Sequence, residues 1–309
     1  MLTPGVVALL SVLCGLPLGV GTRPVQIVGG EEVELHEWTQ VVAILSQETP
    51  STASLCTGTM VAPRVILTAA HCLEDAPDLA DMRVVFGDTI YTQDPRRIAA
   101  VADYGMYPDA CTEDCKADAF DFGYVILAQD AGGIEFIPPI TSQEEWDETM
   151  RVGQEIHVVG FGTIRDADED PLQTPNDVGR KRIMTTPIDS FTPSGLEFRA
   201  GGEGQDACGG DSGGPAFVRL QNGELRLAGV TSRGVTPCGT GDSVYGVPYP
   251  VLTWLRDETG ADLLPPDCPE GNCIDMRMRV DDGGCAISRE GGALAWALPL
   301  LLLGRRRRR

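Results

Sequence analysis

The stretch Gly209-Gly210-Asp211-Ser212-Gly213-Gly214-Pro215 sets one serine among four glycines, an aspartate and a proline. A regular helix or strand does not tolerate such a run, because glycine carries the entropy of an unrestricted backbone and proline removes a hydrogen-bond donor. A sharp turn does. A nucleophilic serine must project from a turn of this kind, beside backbone N–H groups that can receive the charge of a tetrahedral intermediate. Ser212 is therefore a candidate nucleophile, with an ordinary tight turn as the alternative.

Such a serine needs a base, normally histidine, and the chain has three: His36, His71 and His157. His71 closes the apolar segment Val65-Ile-Leu-Thr-Ala-Ala-His71 and is followed by Cys72, which a disulfide could pin. His36 lies in a charged stretch and His157 alternates within a strand, so surface and core roles suit them better. The third partner, an acid that holds the imidazole tautomer, should be buried. Asp121 opens the apolar run Phe122-Gly-Tyr-Val-Ile-Leu127, where an unpaired carboxylate would be costly to bury.

Around these residues the chain reads as many short strands. Apolar, β-branched segments recur at 41–46, 64–70, 82–87, 123–128, 155–162, 215–220 and 224–232, separated by Gly, Pro, Asp and Asn clusters. One helix is expected, over Tyr249–Gly260, with Val251, Leu252, Trp254 and Leu255 on one face and Gly260 as its stop. This pattern predicts an all-β protein. The acidic segment Arg165–Asp177 reads as a solvated loop.

Four motifs together resemble the chymotrypsin-type, or trypsin-like, serine proteases, and they stand in that family's order. They are Ile27-Val-Gly-Gly30, Thr68-Ala-Ala-His-Cys72, Asp121-Phe-Gly-Tyr-Val-Ile-Leu127 and the stretch around Ser212. The resemblance covers about residues 27–260. It implies two antiparallel six-stranded β-barrels, about 27–140 and 141–260, packed around a cleft with one C-terminal helix. It implies Ser212 as nucleophile, His71 as general base and then acid, Asp121 as orienter, and the N–H groups of Gly210 and Ser212 as the oxyanion hole. The reaction would be hydrolysis of protein or peptide substrates through an acyl-enzyme. A catalytically silent surface binding module on the same fold is the alternative.

The resemblance also implies disulfides Cys56–Cys72, around His71, and Cys208–Cys238, beside the primary pocket. It puts Asp206 at the pocket base, as in enzymes that cut after Arg or Lys, with Ser232, Gly234 and Ser243 on the walls. Two departures bear on specificity: Arg233 replaces the usual aromatic residue, and Ser243 replaces a wall glycine. Activation would proceed by a cut before Ile27, whose new ammonium buries against Asp211. Gln26 stands where zymogens cut by trypsin-like enzymes carry Arg or Lys, which leaves the activating protease unknown.

The 309-residue chain is long enough for a sizeable core. Its 24 Lys and Arg against 45 Asp and Glu give a net charge of −21, a field that repels nucleic acid and anionic lipid. No motif suggests a cofactor, and no metal-ligand set is recognisable. Ten cysteines, with the tight pairs Cys111/Cys115 and Cys268/Cys273, point to disulfides and an oxidising compartment.

Both ends agree with export. Residues 1–21 read as a secretory signal peptide that carries Cys14 away, leaving 22–26 as a short pro-segment. Residues 261–284 read as a linker. Residues 285–309 combine Cys285, a glycine pair, an apolar run over Ala293–Leu303 and five terminal arginines. This end resembles the C-terminal sorting tags of Gram-negative and myxobacterial secreted proteins, which a sorting protease removes, and implies Cys285 as the residue attached to the outer cell surface. A weak transmembrane anchor is the other reading, although the run falls short of the ~20 residues a spanning helix needs.

Overall fold

The computed structural model describes residues 30–34, 36–74, 78–164, 178–202 and 204–278. Strands β1 (Glu31–Glu32), β2 (Val41–Thr49), β3 (Thr52–Ala62), β4 (Val65–Thr68), β5 (Met82–Val85), β6 (Ile98–Met106) and β7 (Gly123–Leu127) fill its first half. Helix α1 (Gln143–Thr149) leads into β8 (Glu155–Gly160), β9 (Arg182–Phe191), β10 (Glu197–Gly201), β11 (Pro215–Arg219), β12 (Leu225–Arg233) and β13 (Asp242–Gly246). Helix α2 (Leu252–Thr259) follows.

Strands β2 to β7 close into one antiparallel barrel in the order β2-β3-β4-β7-β6-β5. The second barrel runs β9-β10-β13-β12-β11-β8 and closes by pairing of β8 with β9, with the short β1 added at β9. The expected pair of six-stranded barrels is what the chain forms.

The unbroken apolar runs have a geometric cause. Successive side chains of a strand point to opposite faces, and several strands here are buried on both. In β2, Val42 and Ile44 fill the first barrel with Ile66 of β4 and Val125 of β7, whereas Val41 and Ala43 join the core shared with the second barrel. Each of these residues is at most 2% exposed. Truncating a large one to alanine costs roughly 2–5 kcal/mol.

Five of the longer strands lie outside the segments singled out from sequence. Strand β9, for example, buries Arg182, Met184, Thr186 and Ile188 in alternation, so half of its inward positions are polar. Helix α1 was likewise not expected. Its signal is a capping box: the N–H of Glu145 donates to Ser142 Oγ at 3.2 Å, and Glu145 Oε2 accepts from the Thr141 N–H. Helix α2 begins as a 3-10 turn at Tyr249–Val251 and ends at Gly260, in the left-handed region at φ 76°.

Two expectations need correction. The segment from 261 does not leave the domain as a linker: Ala261, Leu264, Cys268, Ile274 and Met276 are buried against the second barrel. The Cys273 N–H donates to Tyr249 Oη at 2.8 Å, and a Cβ on Gly195 would stand 1.9 Å from Met276 O. The transmembrane reading is also overturned. Among the described residues no helix is long and apolar enough to cross a membrane. The tail over 285–309, the signal peptide and Ile27 lie outside the described residues.

Candidate active site

The serine turn is built by backbone that only glycine adopts easily. Gly210 and Gly213 have φ of 98° and 78°. A Cβ on Gly213 would stand 2.0 Å from Thr68 Oγ1, and one on Gly210 would stand 3.0 Å from Gly162 Cα. Thr57 of β3 sews this turn to the first barrel: its N–H donates to Ser212 O at 2.8 Å, and its hydroxyl donates to Gly210 O at 2.8 Å. From the other side, the Gly213 N–H donates to Thr231 O of β12 at 2.8 Å. Ser212 thus sits on the seam between barrels.

His71 lies in a 3-10 turn, Ala70–Cys72, directly after β4. The Cys56–Cys72 disulfide holds that turn, and Cys72 Sγ stands 3.6 Å from Ser212 O and 3.9 Å from His71 Nε2. Asp121 precedes β7 and is 6% exposed. Its Oδ2 is 2.8 Å from His71 Nδ1, and its Oδ1 accepts the His71 backbone N–H at 3.0 Å. Ser232 Oγ donates to Oδ2 at 2.6 Å. Burial alone would raise the Asp121 pKa, but the hydrogen bond and charge of His71, helped by Ser232, hold it below the usual carboxylate value.

His36 is exposed, whereas His157 lies on β8, half-buried, with Nδ1 2.9 Å from Thr185 Oγ1.

The remaining candidates are also brought together. Asp211 is buried; the Gly162 and Cys208 N–H groups donate to its carboxylate at 2.7 and 3.0 Å. Burial outweighs these bonds and pushes its pKa up to about 6. Asp206 is fully buried beside Ser243, whose hydroxyl donates to its Oδ1, and the Gly239 N–H donates to Oδ2 at 3.3 Å. Burial raises the Asp206 pKa as well. Gly234 lies beside Ser243: a Cβ there would stand 3.2 Å from Ser243 Oγ. The Cys208–Cys238 disulfide ties the loop that leads into the serine turn to the loop beyond β12.

Arg233 turns toward neither Asp206 nor open solvent. Its guanidinium makes two 2.8 Å bonds to the two carboxylate oxygens of Glu197 on β10. Glu197 also accepts the Ala119 N–H at 3.0 Å, fixing the segment that leads to Asp121. Its partnership was not foreseen, although a glutamate at an inward strand position signals one. Nor was the Ser232 bond to Asp121.

A cleft of about 410 Å³ lies beside His71 and Asp121, lined also by Ser232, Arg233 and the loop closed by Cys111–Cys115. A larger hollow between His36 and Lys181 is remote from this chemistry. The fourth disulfide is Cys268–Cys273. Among the described residues, the grouping of Cys56, His71 and Cys72 could suggest a metal site, but both sulfurs are committed to a disulfide and offer no thiolate.

With this geometry in place, a family model described as Trypsin matches residues 27–255. The chain belongs to the trypsin family. It is a trypsin-like serine endopeptidase, and relatives agree. A venom plasminogen activator of Gloydius brevicauda is 26% identical over 248 residues, 74% of this chain and 86% of its own length. A trypsin of Saccharopolyspora erythraea is 29% identical over 212 residues, 67% of this chain and 86% of its own. A solved human heparin binding protein superposes with a TM-score of 0.59 at 17% identity, covering 75% of this chain and 96% of that one, a likeness of fold.

Proposed function

We propose that this endopeptidase is exported and cuts peptide bonds after Arg or Lys. Ser212 attacks the scissile carbonyl while His71 takes its proton and then returns it to the leaving amine. Asp121 keeps Nδ1 protonated and stabilises the imidazolium. The N–H groups of Gly210 and Ser212 receive the oxyanion, at the close approach that glycine permits. The observation that carries the specificity is Asp206, a buried carboxylate held by the Ser243 hydroxyl and the Gly239 N–H, whose burial is offset when a basic side chain enters. Ser232 and Gly234 flank that entry.

Activation follows in the same reading. A protease of unknown identity cuts after Gln26, and the Ile27 ammonium joins Asp211, whose buried charge it compensates. Residues 1–21 direct export, 22–26 are lost on activation, and 285–309 act as a sorting signal through Cys285.

The test uses protein beginning at Ile27, with matched peptides carrying Arg, Lys, Phe or Ala before the scissile bond and Ser212→Ala as control. Cleavage after Arg or Lys that vanishes in the variant supports the reading. Activity on Phe or Ala alone removes Asp206 from the pocket base, and no cleavage by folded, processed protein favours a silent binding module.

A further inference from the structure

The floor of the proposed primary pocket is already partly occupied by protein. Asp206 Oδ1 accepts the Ser243 hydroxyl, and Oδ2 accepts the Gly239 N–H at 3.3 Å. The same hydroxyl faces Gly234, standing 3.2 Å from where a Cβ of that residue would be. It therefore lies between the pocket wall and the carboxylate. Arg233 does not compete for Asp206, because Glu197 holds it by both oxygens.

We infer that Ser243 makes this enzyme a lysine-selective endopeptidase; the inference rests on Asp206 being the pocket base. A guanidinium binds a carboxylate through a planar fork, two parallel N–H bonds to two oxygens. Ser243 Oγ takes one approach to Oδ1 and the space beside it, so a planar fork that needs both oxygens in its own plane is obstructed there and one of its N–H groups loses its partner. An ammonium is compact, carries three donors and has no planar requirement. A hydroxyl that donates to Asp206 keeps lone pairs of its own. A lysine Nζ can then donate to Asp206 and to Ser243 at once, so the group that obstructs arginine becomes a ligand for lysine. An unpaired buried donor is worth about 10- to 100-fold.

The experiment compares kcat/KM on matched Lys and Arg peptides for protein beginning at Ile27, for Ser243→Gly and for Ser243→Ala. Expected is a preference for Lys of about tenfold or more. Ser243→Gly should raise kcat/KM on Arg by about 10- to 100-fold and lower it on Lys. Ser243→Ala, which keeps bulk but loses the hydroxyl, should weaken Lys without restoring Arg. Equal or better cleavage after Arg by the unmodified protein overturns the inference, as does a proportional change on both substrates. Should Ser243→Gly not fold, inhibition of the unmodified protein by an alkylammonium and an alkylguanidinium gives the same decision: the stronger ammonium supports it, the stronger guanidinium overturns it. Cleavage after Phe or Ala with neither Lys nor Arg accepted is a distinct result, which removes Asp206 from the pocket base.

Discussion

Asp121 grips His71 twice, with Oδ2 2.8 Å from the ring Nδ1 and Oδ1 accepting the backbone N–H of the same residue at 3.0 Å. One carboxylate thereby sets both the position of the histidine and the nitrogen that carries its proton. Asp121→Asn keeps the shape but presents an amide to the ring. The expected outcome is a fall in kcat of about 10⁴-fold with KM little changed. Ser232→Ala removes one of the bonds to Oδ2 and should lower kcat by less. Steady-state kinetics on one peptide, with circular dichroism to confirm folding, decides between them.

Gly210 is the second test. At φ 98° it holds a conformation that costs other residues of order 1–3 kcal/mol, and a Cβ there would press on Gly162 and Leu55. Gly210→Ala should turn an oxyanion donor out of line and lower kcat by about 10²- to 10³-fold. A variant that melts a few degrees lower yet keeps full kcat would exclude the donor role.

Asp211 predicts a pH effect. Its pKa is pushed up to about 6 from 3.8 by burial, so the folded state holds its proton more tightly than the unfolded chain. For a raised pKa the stabilising contribution is complete below the unfolded value and is lost as pH rises through the folded one. In protein not yet cut before Ile27, stability should therefore drop between about pH 4 and pH 6, by an amount on the order of 3 kcal/mol. Asp211→Asn should flatten that slope, and so should freeing the Ile27 ammonium. Urea melts at stepped pH on the uncut, cut and substituted proteins measure it; equal slopes in all three would refute the pairing.

Glu197 and Arg233 form the fourth. Glu197→Ala leaves the Ala119 N–H and the half-buried guanidinium without their acceptor, at a cost of about 1–3 kcal/mol. Adding Arg233→Ala should recover part of that loss, because the unpaired cation is gone. Denaturant midpoints of the two single variants and the double variant close the cycle. Strict additivity would mean that the pair contributes nothing by its contact.

How much was legible follows from the chemistry of each element. The strands that read clearly, such as β2 over Val41–Leu45 and β7, are apolar there and are buried or nearly so on both faces. Those that did not, such as β9, turn Arg182 and Thr186 inward, and Arg182 pairs with Glu32 far away in the chain, which no local pattern reveals. The segment from 261 read as a linker because Pro265, Pro266, Pro269 and Gly271 interrupt any strand or helix period. Its apolar residues, Ala261, Leu264, Ile274 and Met276 among them, nonetheless join the second barrel's core, a surface that exists only once that barrel has closed.

The sequence by itself determined the reactive vocabulary: a serine in a glycine turn, a histidine beside a cysteine, an aspartate opening an apolar strand. Each is a local necessity, since a nucleophile needs an exposed turn and a buried carboxylate needs a partner. Only the tertiary structure decided who the partners are. Ser232 lies 111 residues from the aspartate it supports, and Ser243 lies 37 from the carboxylate whose selectivity it is inferred to set. Hydrogen bonds and charges act over a few ångströms of space, and barrel closure brings those separations within that reach.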